Sequence, residues 1–223
     1  MNKKLLIIGA GGHGKVCADV AKSMNKWDEI YFLDDRYQED DNSSKEIIGL
    51  VSDFVNYTDS SDYFVAIGNN QNRKIILQKL KARRCTIATL IHSSAIISER
   101  VKIGFGVVVM PAVVINADST VGDGVILNTR CLIEHDNVIG NFSHISPSVS
   151  LAGTVKIGEC CWIGIGTTIV NNISICSDSI IGAASLVLKD LLEPSTYVGC
   201  PARKISNIKR SLHEEKNFNF SKP

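Results

Sequence analysis

The chain has no Cys-x-x-Cys pair, no excess of charge of either sign and no long apolar run. Its seven cysteines (Cys17, Cys85, Cys131, Cys160, Cys161, Cys176 and Cys200) are an odd number, which argues against a disulfide framework or a zinc ribbon and for reduced, mostly structural thiols. Twenty-four basic residues against 23 acidic ones leave a formal net charge of +1, so there is no electrostatic case for nucleic acid or for a membrane surface. The opening Met1-Asn2-Lys3-Lys4 is basic, but the apolar stretch from Leu5 to Ile8 stops at Gly9. That is too short for the core of a signal peptide or for a membrane span, and a cytoplasmic location is expected. At 223 residues, 44% hydrophobic and 21% charged, the composition is that of a globular protein with room for two modest domains.

What is present is a ladder. Every sixth residue from Ile91 to Val187 is Ile, Leu or Val, without interruption. A helix repeats at 3.6 residues and a strand at 2, so a strict period of six means short strands joined by tight corners in a β-solenoid. Three such steps close one triangular coil of 18 residues, and Gly104, Gly122, Gly140 and Gly158 follow that longer period, with Gly164 and Gly182 on another side. Glycine at these corners is expected to relieve backbone strain. Between five and six coils predict a prism about 25 Å tall at ordinary strand spacing. Positions four residues after a ladder residue also point inward, which places Cys131 and Cys161 in the interior as small fillers.

Residues before about 85 follow another grammar. A strand at Leu5–Ile8, a glycine turn, a helix from about Gly14 to Met24, a strand at Ile30–Leu33, a strand at Tyr63–Ile67 and a helix through Leu80 make a small βαβ unit. The polar, acidic segment from Gln38 to Lys45 suits an exposed loop. The predicted division is therefore 1–88 for a Rossmann-like domain, 89–203 for the solenoid and 204–223 for an unassigned tail. A solenoid exposes strand edges at both ends, and the first domain is expected to cover one end and the segment after Asp190 the other.

Two clusters carry candidate chemistry. Gly9-x-Gly11-x-x-Gly14 follows a strand and opens a helix, with Asp34 and Asp35 about twenty residues on, in the setting of a dinucleotide fingerprint. Its glycines would let backbone N–H groups approach a pyrophosphate at the helix N-terminus; some 85 residues are too few for a two-half dinucleotide fold, which disfavours NAD, and a purely structural glycine turn is the alternative to ligand binding. The second cluster is His135, two residues past Ile133 and hence at an outward corner. The coil period puts Ala117 below it and Gly153 above, which leaves room for a substrate. Asp136 stands beside it, either to orient the ring or as a solvated corner acid. His144 and Asn128 flank ladder residues and face outward, whereas nothing supports a role for His92 or His213. A covalent route through Cys131 needs an exposed thiolate, which an inward position denies.

The repeats together with Gly199-Cys200-Pro201-Ala202-Arg203 resemble the hexapeptide acyltransferases. Gly9-Ala10-Gly11-Gly12-His13-Gly14-Lys15, Phe32-Leu33-Asp34-Asp35, Ala66-Ile67-Gly68-Asn69-Asn70 and Asn128-Thr129-Arg130-Cys131-Leu132-Ile133-Glu134-His135-Asp136 narrow the match. Within that superfamily they resemble the bacterial nucleotide-sugar 4-N-acetyltransferases and the related sialic acid O-acetyltransferases, over about residues 4 to 203. The resemblance implies a left-handed parallel β-helix behind an α/β domain, and a homotrimer with its active sites between neighbouring β-helices. The implied reaction is acetyl transfer from acetyl-CoA, without a metal, to the 4-amino group of a UDP- or dTDP-linked 4-amino-4,6-dideoxyhexose. The product would serve a surface polysaccharide such as O-antigen, or a glycan.

The resemblance also implies His135 as general base and Asp136 as its partner. Gly12, His13, Gly14, Asp34, Asp35 and Gly68 would then lie around the nucleotide-sugar. Asn128, His144, Gly153, Ile165 and Ala183 would lie along acetyl-CoA, with the Gly153 N–H serving the oxyanion. It is weakest at Ala183, where relatives often carry glycine. The competing readings are O-acetylation of a sialic acid, a β-helix zinc hydratase, which would want a third outward histidine beside His135 and His144, and a non-catalytic solenoid, which would want regular outward threonine rows.

Overall fold

The computed structural model describes residues 3–36, 46–57 and 61–205. The acidic loop from Gln38 to Lys45, His213 and the tail beyond residue 205 lie outside them. The first domain is one parallel sheet of order β3-β2-β1-β4-β5, formed by β1 (Lys4–Ile8), β2 (Glu29–Leu33), β3 (Ile47–Gly49), β4 (Ser61–Val65) and β5 (Thr86–Ile87). Leu5, Leu6, Ile7 and Ile8 are at most 1% exposed because β1 is central and covered on both faces. Two helices cover it: α1 (Gly12–Ser23) and α2 (Asn70–Ala82). The short β3 and the 3-10 helix at Val51–Tyr57 have no counterpart in the sequence reading. Asn69 caps α2 by accepting the Asn72 N–H at 2.9 Å.

The chain passes from β5 directly into seventeen two-residue strands, β6 (Leu90–Ile91) to β22 (Leu186–Val187), that wind into the left-handed parallel β-helix. Every third strand stacks in parallel register, Ile126 on His144 and His144 on Trp162 for example. This makes three faces. The first contains β6, β12 (Ile126–Leu127), β15 (His144–Ile145), β18 (Trp162–Ile163) and β21 (Ile180–Ile181); the second contains β13 (Leu132–Ile133); the third contains β14 (Val138–Ile139). Ladder residues from Val109 onward are buried, while Ile91, Ile97 and Ile103 of the lowest coil are partly open because no coil lies beneath them.

Two expectations need correction. Gly104, Gly122, Gly140 and Gly158 are not at strained corners; the left-handed conformation falls two residues later, at Gly106, Gly124, Phe142 and Cys160, and at other corners is taken by non-glycine residues such as Asp118, Arg130 and Asp136. Glycine is required instead by close approach of the next coil, whose Ser177 N would lie 2.3 Å from a Cβ at Gly158. The second correction concerns the first domain, which does not simply cap an end. At the base α1 meets β6; α2 runs up the corner between the third and first faces, where Arg73, Asn70, Gln71 and Lys74 engage Gly124, Phe142, Cys160, Cys161, Asp178 and Glu159. The far end is covered by β23 (Thr196–Val198), parallel to β21, and β24 (Arg203–Lys204), antiparallel to β23. Lys204, assigned to the tail, thus belongs to the closing hairpin.

Candidate active site

His135 and Asp136 occupy the corner between β13 and β14, the apex where the second and third faces meet. Asp136 bends back: its Oδ2 is 2.7 Å from His135 Nδ1. A carboxylate can only accept, so Nδ1 carries the proton and Nε2 is left with a free lone pair. Both side chains are more than half exposed. Gly153 backs the ring, and a Cβ there would come 2.6 Å from both Cε1 and Nε2 of the imidazole. Cys131 is buried and its thiol is pushed up to about 12 by desolvation, which removes it as a nucleophile.

A second cluster lies on the first face, on the opposite side of the prism from that apex. His144 there is nearly parallel to Trp162, 8° between rings at 6.2 Å, with the His13 ring 6.5 Å away and tilted by 33°. Asn128 Oδ1 accepts from the Thr129 N–H at 2.8 Å, which turns its Nδ2 toward His144 Nε2 at 3.2 Å. Nε2 is therefore the acceptor and Nδ1 bears the hydrogen. Burial, reinforced by the charge of Arg73, lowers His13 to about 4, and burial, Arg73 and His13 together lower His144 to about 3, so both rings are neutral at pH 7.

Arg73 is the residue that the sequence reading missed. It is fully buried. Its guanidinium donates to Gly124 O (2.7 Å), Ile67 O (2.8 Å), Gly68 O (3.1 Å), Asn70 Oδ1 (2.8 Å) and Phe142 O (2.6 Å). All five acceptors are neutral, and among the described residues no carboxylate pairs with it. Nothing in a run such as Asn70-Gln71-Asn72-Arg73-Lys74 distinguishes it from an ordinary solvated helix cation.

Two cavities open on the first face. One of about 450 Å³ lies against α2 and is walled by Gly68, Asn70, His144, Cys160, Trp162 and Ile180, among others. The other, about 480 Å³ and mostly apolar, runs along the next corner past Pro147, Ile165, Ile181, Ala183 and Val198. Trp162 and Ile180 line both. Of the residues assigned to a nucleotide-sugar, Gly68 is on the wall and His13 reaches it through His144. Gly12 is open to solvent. Gly14 instead serves packing, since a Cβ would lie 2.0 Å from Gly9 O. Asp34 is occupied by the Ala10 N–H at 2.7 Å and by Arg36, whose bond holds its carboxyl down at about 2. Asp35 is exposed and accepts from the Val51 N–H at 3.2 Å. Of those assigned to acetyl-CoA, Ile165 and Ala183 line the apolar groove and Asn128 and His144 meet at its neighbour, whereas Gly153 stands with His135 on the far apex.

A single chain thus holds the expected base, with Asp136 and Gly153, apart from the other assigned groups. Nine residues, half of an eighteen-residue coil, divide His135 from His144, and that spacing was the signal available in the sequence. Among the described residues no three His, Cys, Asp or Glu side chains gather in a way that could hold a metal ion, and no helix is long and apolar enough to cross a membrane.

Comparison with known proteins gives four findings. Residues 4–80 match the PglD N-terminal domain. The structure superimposes on the acetyltransferase domain of PglB from Neisseria gonorrhoeae FA1090 in complex with acetyl coenzyme A, with TM-score 0.86 and 38% identity over 92% of this chain and 100% of that one. It also superimposes on PerB from Caulobacter crescentus in complex with CoA and GDP-perosamine, with TM-score 0.82 and 32% identity over 91% of this chain and 97% of that one. Among curated proteins, the UDP-N-acetylbacillosamine N-acetyltransferase of Bacillus subtilis (strain 168) is 34% identical over 111 residues, 48% of this chain and 51% of that protein. The match thus spans about half the length of that relative.

Proposed function

The chain belongs to the hexapeptide-repeat family of bacterial nucleotide-sugar N-acetyltransferases, and from that membership we propose that it moves the acetyl group of acetyl-CoA onto the 4-amino group of a nucleotide-linked 4-amino-4,6-dideoxyhexose destined for a surface polysaccharide or glycan. The observation that carries this reading is the His135–Asp136 pair: an exposed imidazole with its Nδ1 proton held by a carboxylate and its Nε2 free. The acceptor amine attacks the thioester carbonyl, His135 Nε2 takes the proton that the new amide nitrogen must lose, and the C–S bond breaks to release CoA. Asp136 favours the imidazolium that forms. His144, neutral and with its hydrogen fixed on Nδ1, is a donor for the thioester carbonyl. The apolar groove past Ile165 and Ala183 suits the pantetheine arm, and the cavity against α2 suits the nucleotide-sugar, with the uncompensated charge of Arg73 behind its wall favouring an anionic ligand.

These parts can meet only if two chains supply them. The apex of one prism, with His135, Asp136 and Gly153, would enter the first face of the next, with His144, Trp162 and Gly68, and three copies close that heterologous contact into a ring. The second face supports such packing, since its outward residues begin Ile96, Val114, Leu132, with Ile96 66% exposed. Seven free thiols and a need for acetyl-CoA fit a cytoplasmic setting.

One relative is named for a UDP-linked sugar and another is seen with GDP-perosamine, so the test offers UDP-, dTDP- and GDP-linked 4-amino sugars and free sialic acid, each with acetyl-CoA, to wild type and His135→Ala. An acetyl mass gained on one nucleotide-linked amine by wild type alone supports the reading. Acetylation of free sialic acid alone would move the protein to the O-acetyltransferases. Equal product from both proteins would remove His135 from the chemistry.

A further inference from the structure

We propose that Asn137, an interior amide, is a positioning residue for His135; the inference rests on His135 being the general base. Asn137 lies directly after the His135–Asp136 turn, points into the prism and is fully buried. Its surroundings are the narrow interior of the solenoid, where an amide is costly unless every polar atom is satisfied. Here every one is. Nδ2 donates to Glu134 O at 2.5 Å, Ala152 O at 3.1 Å and, more weakly, His135 O at 3.4 Å, while Oδ1 accepts the Val155 N–H at 2.9 Å.

The other coils show which part of this network the fold needs. Inward residues at multiples of six from Asn137 place a hydroxyl or thiol on a carbonyl fifteen residues ahead: Ser119 on Glu134, Ser143 on Gly158, Cys161 on Cys176, with a longer contact to Glu159 O, and Thr167 on Gly182. The bond from Asn137 to Ala152 is that same structural device. A hydroxyl or thiol suffices for it elsewhere, and the remaining inward positions of this kind carry Ala, Val, Ile, Ser or Cys. Only at the coil that carries His135 does an amide stand there, and its surplus bonds go to the carbonyls of Glu134 and His135. These are the two peptide groups on either side of the His135 Cα. Gripping both fixes the direction in which the imidazole leaves the backbone.

That direction matters because the side chain itself is lightly held. The ring is 59% exposed, tied by one bond to Asp136 and backed by Gly153. Small misplacements of a base are costly to turnover while leaving substrate binding elsewhere untouched. An amide that served folding alone would be replaceable by the serine its sibling coils use.

The test is Asn137→Ser, with Asn137→Cys as a second variant because sibling coils carry both residues. Each is assayed for kcat, for KM of acetyl-CoA and of the amino sugar, and for melting temperature, beside His135→Ala. The expected result is a fall in kcat of about tenfold or more, with both KM values and the melting temperature close to wild type. Wild-type kcat in both variants, with His135→Ala inactive, overturns the positioning role and leaves the assignment of the base standing. So does a kcat that falls only in step with melting temperature. Full activity in His135→Ala overturns both.

Discussion

Replacing Arg73 by methionine should loosen the two domains from one another. The guanidinium is the sole donor seen on Gly124 O and Phe142 O, both in the buried corner of the β-helix, and it also holds Ile67 O, Gly68 O and Asn70 Oδ1 of the first domain. Methionine fills much of the volume but leaves those acceptors bare. An orphaned buried carbonyl costs about 1–3 kcal/mol, and the two on the β-helix side therefore cost about 2–6 kcal/mol. Removing an uncompensated buried charge returns part of this, and acceptors near the cavity can recruit water. A net loss of about 3 kcal/mol is expected, which for a chain of this length lowers the melting temperature by about 6–12 °C. Calorimetry and limited proteolysis of Arg73→Met should show that loss, with Arg73→Lys intermediate because an ammonium keeps the charge and up to three donors. In the methionine variant the His13 and His144 rings should also protonate at higher pH in NMR titrations, since a neighbouring positive charge is gone. Melting within about 2 °C of wild type, with both titrations unchanged, would refute the assignment of Arg73 as the tie between domains and the source of that field.

Gly153→Ala has an ordinary backbone conformation available to it, but its Cβ would sit 2.6 Å from His135 Nε2; turnover should fall by about tenfold or more while melting is unaffected, and an equally active variant would show that the ring does not rest on Gly153 during the reaction. His13 and His144 are depressed to about 4 and about 3 from an unfolded value near 6.5. Folding stability is therefore whole above about pH 6.5 and declines as pH falls toward those folded values, because the unfolded chain binds the protons first. Denaturation from pH 7 to 4 should show this slope and His13→Gln/His144→Gln should flatten it; equal slopes would contradict the neutral, buried pair. Ile139→Asp puts a carboxylate at a ladder position that is 1% exposed, and loss of the cooperative melt is expected; a wild-type melting curve would undermine the inward reading of the ladder.

The solenoid was readable because its signal is strictly local: each ladder residue enters the same environment as the one eighteen positions earlier, so the period survives in the sequence. The sheet of the first domain was readable for a similar reason, since Leu5 to Ile8 are buried on both faces. Ile47–Gly49 was not, because three residues on a sheet edge carry no period. The docking of the first domain was hidden as well, for it depends on Arg73 and Asn70 meeting main-chain carbonyls, and a carbonyl leaves no mark on residue identity. Among candidate site residues, His135 and Gly153 were found together by the coil period. Their separation from His144 followed from the same arithmetic, nine residues being half a coil.

The claim on which the functional reading turns is that one chain lends His135 to a neighbour's His144. Co-expression of His135→Ala with His144→Ala, each alone inactive, tests it by the yield of acetylated nucleotide-sugar in mass spectrometry. Random assembly of the two variants into closed rings gives a native pairing at about a quarter of the contacts, so about a quarter of wild-type activity should return. A mixture as inactive as its parents, although the chains have assembled together, would contradict a site shared between subunits.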